Sequence, residues 1–277
     1  MEREIEALHE SARLLSQGEW QVYCAAGCEI PATLGEIGRL REIAFRAEGE
    51  GTGKARDLDR FDNHYRHLFL WNPQRRQIAG AYRIAFTPDV LAAHGREGLY
   101  TNTLFRLAPE FFAKLGPAIE LGRSFVRLEC QREFAPLFLL WKGIGAIARR
   151  RPDLRVFYGA VSVSAAYRPE SRTLIAEFLK RHHWSPELAS AVEAKRPWQA
   201  SCRMPAPAGC ERQLGEALQE LEWDQKRVPV LLRHYLSLGA RALALHTDAS
   251  FSNVLDVLVA VSLETVPEKA RSRYLGM

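Results

Sequence analysis

Seven charged residues stand where apolar strands and helices are expected: Arg41, Asp57, Asp59, Asp62, Arg83, Glu120 and Arg123. Tyr82 and Ile84 flank Arg83, while Ile119, Leu121, Phe125 and Val126 surround Glu120 and Arg123. A surface salt-bridge network accounts for charged residues in general, but not for charges inside core-like segments, where an unpaired one costs several kcal/mol. Two chemistries follow from the residue types. A partly buried carboxylate such as Glu120 can accept a proton near neutrality, or it can simply pair with Arg123 or Arg83. A guanidinium such as Arg83 can grip a carboxylate in forked geometry. Asp57, Asp59 and Asp62 either hold a cationic group or order their own loop, and Arg41 either braces that loop or is a helix-surface cation. Glu120 and Arg123 are three positions apart. A regular strand sends them to opposite faces, and only a bulge, for which Gly122 is suited, brings both to one site.

Other chemistries are excluded by spacing. The stretch Gly49-Glu50-Gly51-Thr52-Gly53-Lys54 has Glu48 where a phosphate loop needs its first glycine, and Ala55 where it needs Ser or Thr. Cys24 and Cys28 have no second cysteine pair, and His64 with His67 has no clear third ligand, so no metal site is expected. Asp57, Asp59 and Asp62 resemble a calcium loop only superficially, because Asp62 and Leu68 occupy the positions of its glycine and glutamate. There is no Gly-x-Ser-x-Gly elbow, and no histidine precedes an aspartate at the spacing that glycerolipid O-acyltransferases use.

The elements that must position these residues read as an α/β fold. Ile5, Leu8, Ala12 and Leu15 recur at helical spacing and predict an amphipathic helix ahead of a strand at 20–26. Thr33 and Glu36 read as a capping box for a helix carrying Leu34, Ile37, Leu40 and Ala44. Strands are predicted at 67–71 and 78–86 around an Asn72-Pro73 turn, then a helix at 110–115, a strand at 118–126, a helix at 135–149, a strand at 156–164 and a helix at 169–182. Farther on come a strand near 200–203, a loop with Pro205 and Pro207, helices at 211–223 and after Pro229, a strand at 241–246 and an apolar run at 254–263. With 277 residues, 47% of them hydrophobic, the chain is expected to form one elaborated domain, with its core at about 20–184 and an elaboration at about 200–277. Five dispersed cysteines predict free thiols, and the absence of an apolar run of roughly 18 residues or of a secretion signal predicts a cytoplasmic protein. The net charge of +5 fits an acidic partner. Nucleic acid is not favoured, because the bases are dispersed without an aromatic platform.

Arg41 with Phe45, Asp57-x-Asp59-x-Phe61-Asp62, Gly80-x-x-Arg83 and Glu120-Leu121-Gly122-Arg123-x-x-Val126 occur in the order of a known pattern. The sequence resembles the N-acyl-homoserine-lactone synthases and their relatives in the GNAT superfamily. A closer resemblance is to the haemolysin-like branch that includes ornithine-lipid N-acyltransferases and long-chain N-acyl amino acid synthases. It is carried by the motifs Tyr100-Thr101-Asn102-Thr103-Leu104-Phe105, Leu140-Trp141-Lys142-Gly143-Ile144 and Gly159-Ala160-Val161-Ser162-Val163-Ser164. The chain departs from the lactone synthases in having Asp57 for their glutamate and Gly51 for a tryptophan. It departs from ordinary GNAT enzymes in having no glycine across 131–136, where their pyrophosphate loop lies.

The resemblance implies a GNAT-like three-layer fold, a central mixed and largely antiparallel sheet flanked by helices. It implies an N-acyltransferase in which an amine attacks a thioester directly, with Glu120 and Arg123 catalytic and Arg41, Asp57, Asp59, Asp62 and Arg83 binding substrate. The expected donor is an acyl-phosphopantetheine thioester, on acyl-carrier protein or CoA, with no permanently bound cofactor. The expected acceptor is an amino acid, ornithine first. Lys142, Arg149, Arg150 and Arg151 are the expected landing site for an acidic carrier protein, against solvated helix ends as the plainer reading. A peripheral membrane contact is assigned to the first helix. The other readings are a CoA-dependent acetyltransferase and a catalytically silent module that binds carriers or membranes.

Overall fold

The computed structural model describes residues 1–204 and 209–275, so the expected loop with Pro205 and Pro207 lies outside the described residues. Two compact units are present. One comprises Met1–Leu99, Pro117–Arg155 and the stretch from Pro267 onward, and the other Tyr100–Gly116 and Val156–Val266. In chain order the strands are β1 (Arg13–Gln17), β2 (Trp20–Ala26), β3 (Arg66–Asn72), β4 (Gln77–Phe86), β5 (Phe105–Leu107), β6 (Ala118–Val126), β7 (Val156–Val163), β8 (Val192–Ala194), β9 (Arg241–Asp248) and β10 (Val254–Ser262). The fold is α/β with largely antiparallel sheet flanked by helices, as expected.

In the first unit β1, β2, β3, β4 and β6 pair antiparallel in that order. Period-two alternation divides their side chains between two faces. One face carries Val22, Leu68, Tyr82 and Ile84 and is covered by the Ala135–Arg150 helix, where Trp141 meets Tyr82 edge-on at 6.3 Å. The opposite face carries Tyr23, Phe69 and Ala81, which pack with Ile37, Leu40 and Ala44 of the Pro31–Ala47 helix. Each such aliphatic or aromatic burial contributes about 1.5–3 kcal/mol. The charged residues share this second face, since His67 pairs with Arg83 and Glu120 pairs with Ala85. In the second unit β7, β10 and β9 form an antiparallel ladder, and β5 pairs with β8.

The predicted β3–β4 hairpin is present, and Asn72 Oδ1 accepts the Arg75 N–H at 2.9 Å to fix its turn. Three local expectations differ from what forms. The first helix runs only Glu2–Ala7, and Leu15 lies in β1, whose edge pairing with β2 overrides the helical spacing. Ile5 of that helix is buried in the core, Leu8 packs against it and the first turn is acidic, so the helix braces the fold. No strand forms at 200–203; the short strand of this region is β8. The capping box of Thr33 and Glu36 also gives way. Glu36 instead holds Arg39 at 2.7 Å, and the cap comes from a distant residue, Glu4. Its carboxylate accepts the Ala32 N–H, the Thr33 N–H and the Thr33 hydroxyl, each at 2.8 Å. Pro31 at the first helical turn completes the start without needing an N–H partner.

Replacing Glu4 by Ala should therefore destabilise the fold by about 1–2 kcal/mol. Thermal unfolding of Glu4→Ala against Glu36→Ala checks this, with the larger loss at Glu4.

Candidate active site

Arg41 lies on the buried face of its helix and is 1% exposed. The acidic loop that follows Gly53 returns to that helix, where the Asp57 N–H donates to Gly38 O at 3.0 Å. A Cβ on Gly38 would sit 2.7 Å from Leu58, so glycine there lets the loop lie directly on the helix. Arg41 Nε then donates to Asp57 Oδ2 at 2.9 Å, and its Nη2 reaches both the Asp57 carbonyl and Asp62 Oδ2, the latter at 3.1 Å. Asp59 and Asp62 cap the 3-10 turn Arg60–Asn63 reciprocally. The Asp59 N–H donates to Asp62 Oδ2 at 2.8 Å, and Asp59 Oδ1 accepts from the Phe61 N–H at 2.8 Å.

Arg83 on β4, also 1% exposed, enters this loop from the sheet. Its Nη1 is 2.6 Å from Asp59 Oδ1 and 3.4 Å from Asp62 Oδ2. Its guanidinium lies 5.2 Å from the Tyr65 ring centroid and 5.6 Å from that of Phe61. The predicted bulge is real: β4 residues Ala81 and Arg83 pair with Phe125 and Gly122, leaving an extra residue on β6. Arg123 takes φ 48°, a left-handed conformation costing about 1–2 kcal/mol for a residue with a Cβ. Thereby Arg123 turns to the same face, with Nε 3.6 Å from Asp57 Oδ2 and Nη2 3.7 Å from Asp59 Oδ2. Its guanidinium also stands 5.9 Å from the Phe45 ring centroid. Gly80 permits the close β4–β6 approach, since a Cβ there would meet Phe125 O at 2.6 Å.

Three guanidiniums thus interlock with three carboxylates. Arg41 is a brace of the acidic loop rather than a surface cation, and Asp57, Asp59 and Asp62 order that loop through these arginines. Glu120, 1% exposed on the same sheet face, accepts the Tyr65 hydroxyl at Oε2, 2.9 Å away. Tyr65 is a member of the site that residue spacing did not reveal; its only signal is its place between the acidic loop and β3. His67 is another, fully buried, with Nε2 3.1 Å from Asp62 O. The cavity of about 420 Å³ lined by Glu2, Ile5, Tyr23 and Trp71 touches none of these residues. Among the described residues, no group of three or more His, Cys, Asp or Glu side chains is placed to hold a metal ion.

The electrostatics follow from burial and pairing. Burial raises the pKa of Asp62, but the Arg41 and Arg83 charges and their hydrogen bonds outweigh it and hold the carboxyl at about 2. Burial opposes the charge of Arg83, yet Asp62 and Asp59 raise its pKa above the ordinary guanidinium range. Burial pushes His67 down to about 4, so it is neutral beside the arginines.

Three of the four basic residues expected to meet a carrier also bond within the chain. Lys142 donates to Gln17 Oε1 at 2.9 Å, Arg150 to the carbonyls of Ser11 and Arg13 at 2.5 and 3.2 Å, and Arg151 to both Asp153 and Asp89. Arg149 is exposed.

Residues 40–142, which include the whole of this network, match the acetyltransferase (GNAT) domain family. The chain is 30% identical to the Glycine N(alpha)-acyltransferase of Phocaeicola vulgatus, over 95% of this chain and 86% of that protein. It is likewise 30% identical to the Glycine N(alpha)-acyltransferase of Bacteroides thetaiotaomicron, over 95% of this chain and 83% of that one. Among solved structures, the AHL synthase LasI is similar at a TM-score of 0.46 and 13% identity, covering 94% of this chain and 96% of that one. The chain belongs to the GNAT acyltransferase family of these relatives and is an acyltransferase.

Both lowered pKa values make stability fall with acid. The unfolded chain protonates His67 near 6.5, whereas the folded one waits until about 4, so stability is intact above 6.5 and declines between those values by about 3 kcal/mol. Asp62 adds a second loss of about 2 kcal/mol as the pH falls from 3.8 towards 2. Urea unfolding from pH 7 to pH 4 checks the first window, which His67→Asn should flatten.

Proposed function

We propose that the chain transfers a long-chain acyl group from a phosphopantetheine thioester to the α-amine of a small amino acid, glycine before ornithine. The observation that carries this reading is the near full-length kinship with two proteins named Glycine N(alpha)-acyltransferase. The site favours the smaller acceptor. Ornithine was expected because three aspartates offered a cationic side chain a partner, yet each carboxylate already faces an arginine. A second ammonium would have to displace a guanidinium from a matched set of charges. Glycine asks only that its carboxylate meet a cation and its ammonium lose a proton.

In this mechanism the free amine attacks the thioester carbonyl carbon, the C–S bond breaks, and the products are an amide and a free thiol. The proton released from the acceptor's ammonium goes to Glu120, held by Tyr65; Arg123, the most exposed of the three guanidiniums and 3.6 and 3.7 Å from its aspartates, meets the acceptor carboxylate, while Arg83 keeps the acidic loop in place. Residues 131–136 carry no glycine and run as a turn into the Ala135–Arg150 helix, which favours an acyl-carrier protein as donor over a pyrophosphate held by backbone amides.

Purified protein, long-chain acyl-carrier protein and a mixture of amino acids, read by mass spectrometry, should yield N-acylglycine in excess over N-acylornithine. Glu120→Gln, which keeps the side chain's shape, should lower kcat by about 10²–10⁴-fold. Tyr65→Phe should lower it less. Turnover unchanged in Glu120→Gln would remove Glu120 as the base, and absence of any acylated amino acid with either donor would remove the proposed reaction.

A further inference from the structure

Two large apolar side chains of the first unit stay in water where β6 ends and the next helix begins. Leu128, just past β6, is 41% exposed, and Phe134, at the start of the Ala135–Arg150 helix, is 64% exposed. The Phe134 ring is held in place. It stacks on Phe138 with centroids 5.1 Å apart and planes 28° apart. The helical turn Arg271–Leu275 packs on the same helix, with the Tyr274 ring 5.8 Å from Phe138 and 6.2 Å from Trp141. Arg273 comes with that turn. Its guanidinium lies 4.8 Å from the Phe134 centroid, 5.4 Å from that of Phe138 and 5.6 Å from that of Tyr274, and Lys142 Nζ lies 5.4 Å from Phe138. Stacking on aromatic rings fixes a cation without using up its N–H donors, so an outside carboxylate meets it with little left to order.

The charge around these rings is basic in balance. Residues 127–142 and 267–275 carry six bases and three acids, and one of those acids, Glu129, is held by Arg127 at 3.0 Å, which leaves five bases to two acids. Arg132 and Arg273 are exposed, and the remaining carboxylates are Glu133 and Glu268. An exposed aromatic ring framed by surplus positive charge fits an acidic protein surface, the ring anchoring the centre and the bases steering and orienting the approach. The place of the patch on the fold says which acidic protein. β6 carries Glu120 and Arg123 and then delivers the chain to Leu128, and at about 3.3 Å per residue Val126 stands roughly 20 Å from Glu120. An extended phosphopantetheine arm has that length, so a carrier seated on Phe134 reaches Glu120 with its thioester.

We propose that Leu128, Phe134 and Arg273, with Arg132 and Lys142 beside them, form the docking face for an acyl-carrier protein, at the opposite end of the Ala135–Arg150 helix from Arg149, Arg150 and Arg151. The identity of the partner rests on the acyl-transfer reading, but its test needs no turnover. A dye-labelled long-chain acyl-carrier protein, titrated with this protein and read by fluorescence anisotropy, should bind. Phe134→Ala should weaken that binding severalfold, and Arg132→Glu with Arg273→Glu by about tenfold or more. The unfolding temperature of Phe134→Ala should not move, because most of the ring lies in water. The KM for acyl-CoA should be the same in all three proteins, since that donor brings no protein surface to the dock. Carrier binding unchanged by both sets of substitutions would overturn the proposal. So would a matching rise in the KM for acyl-CoA, which would make Arg132 and Arg273 contacts to a donor phosphate and not to a protein. Transfer from acyl-CoA by a protein that does not bind the carrier would overturn the dock and leave the reaction standing. Carrier binding that these variants weaken, without acyl transfer from either donor, would count against the reaction and leave the dock standing.

Discussion

Burying a guanidinium is affordable only beside a carboxylate, and among the described residues two are buried almost completely, Arg41 and Arg83. The acidic residues that receive them come from one loop, so the same ion pairs that neutralise the arginines fasten that loop between the Pro31–Ala47 helix and the sheet. Removing one partner would strand a charge in the interior at a cost of about 3–5 kcal/mol. Everything else in the site is positioned from this lattice. Asp59 and Asp62 can cap the turn before Tyr65 because the arginines hold them, and Tyr65 in turn holds Glu120.

The second constraint is geometric. A straight β6 could not present both Glu120 and Arg123 to the face that carries Arg83. The extra residue opposite Tyr82 and the left-handed Arg123 solve this at a local conformational cost, and the Asp57 and Asp59 carboxylates stand within 4 Å of the redirected guanidinium. Backbone strain maintained at a cluster of buried charges is a feature of sites that do chemistry. Membership in the GNAT acyltransferase family supplies the chemistry, and the ion-pair lattice explains how the fold keeps three guanidiniums and three aspartates in an apolar layer.

Much of this was legible in the sequence because it was written in strong local signals. β3 and β4 are apolar runs on either side of an Asn-Pro turn, the long helices carry apolar stripes, and Gly122 between Glu120 and Arg123 marked the bulge. What was not legible depends on tertiary partners. Ile5, Leu8, Ala12 and Leu15 fit a helix on spacing alone, yet Leu15 belongs to an edge strand whose partner lies in β2. The cap of the Pro31–Ala47 helix comes from Glu4, too far along the chain for a capping pattern to reveal. Tyr65 looks like an ordinary aromatic residue until the fold brings Glu120 to its hydroxyl. Nor does the sequence show that Lys142, Arg150 and Arg151 bond within the chain, to Gln17, to the Ser11 and Arg13 carbonyls, and to Asp153 with Asp89.

The central claim is that Arg41 and Asp62 act as one unit and not as two separate polar residues. A double-mutant cycle with Arg41→Met, Asp62→Leu and both together, read by urea unfolding, measures that directly. The account predicts that each single change destabilises strongly and that the double variant recovers much of the loss, with a coupling energy of about 2 kcal/mol or more. Additive losses, with no recovery in the double variant, would contradict it.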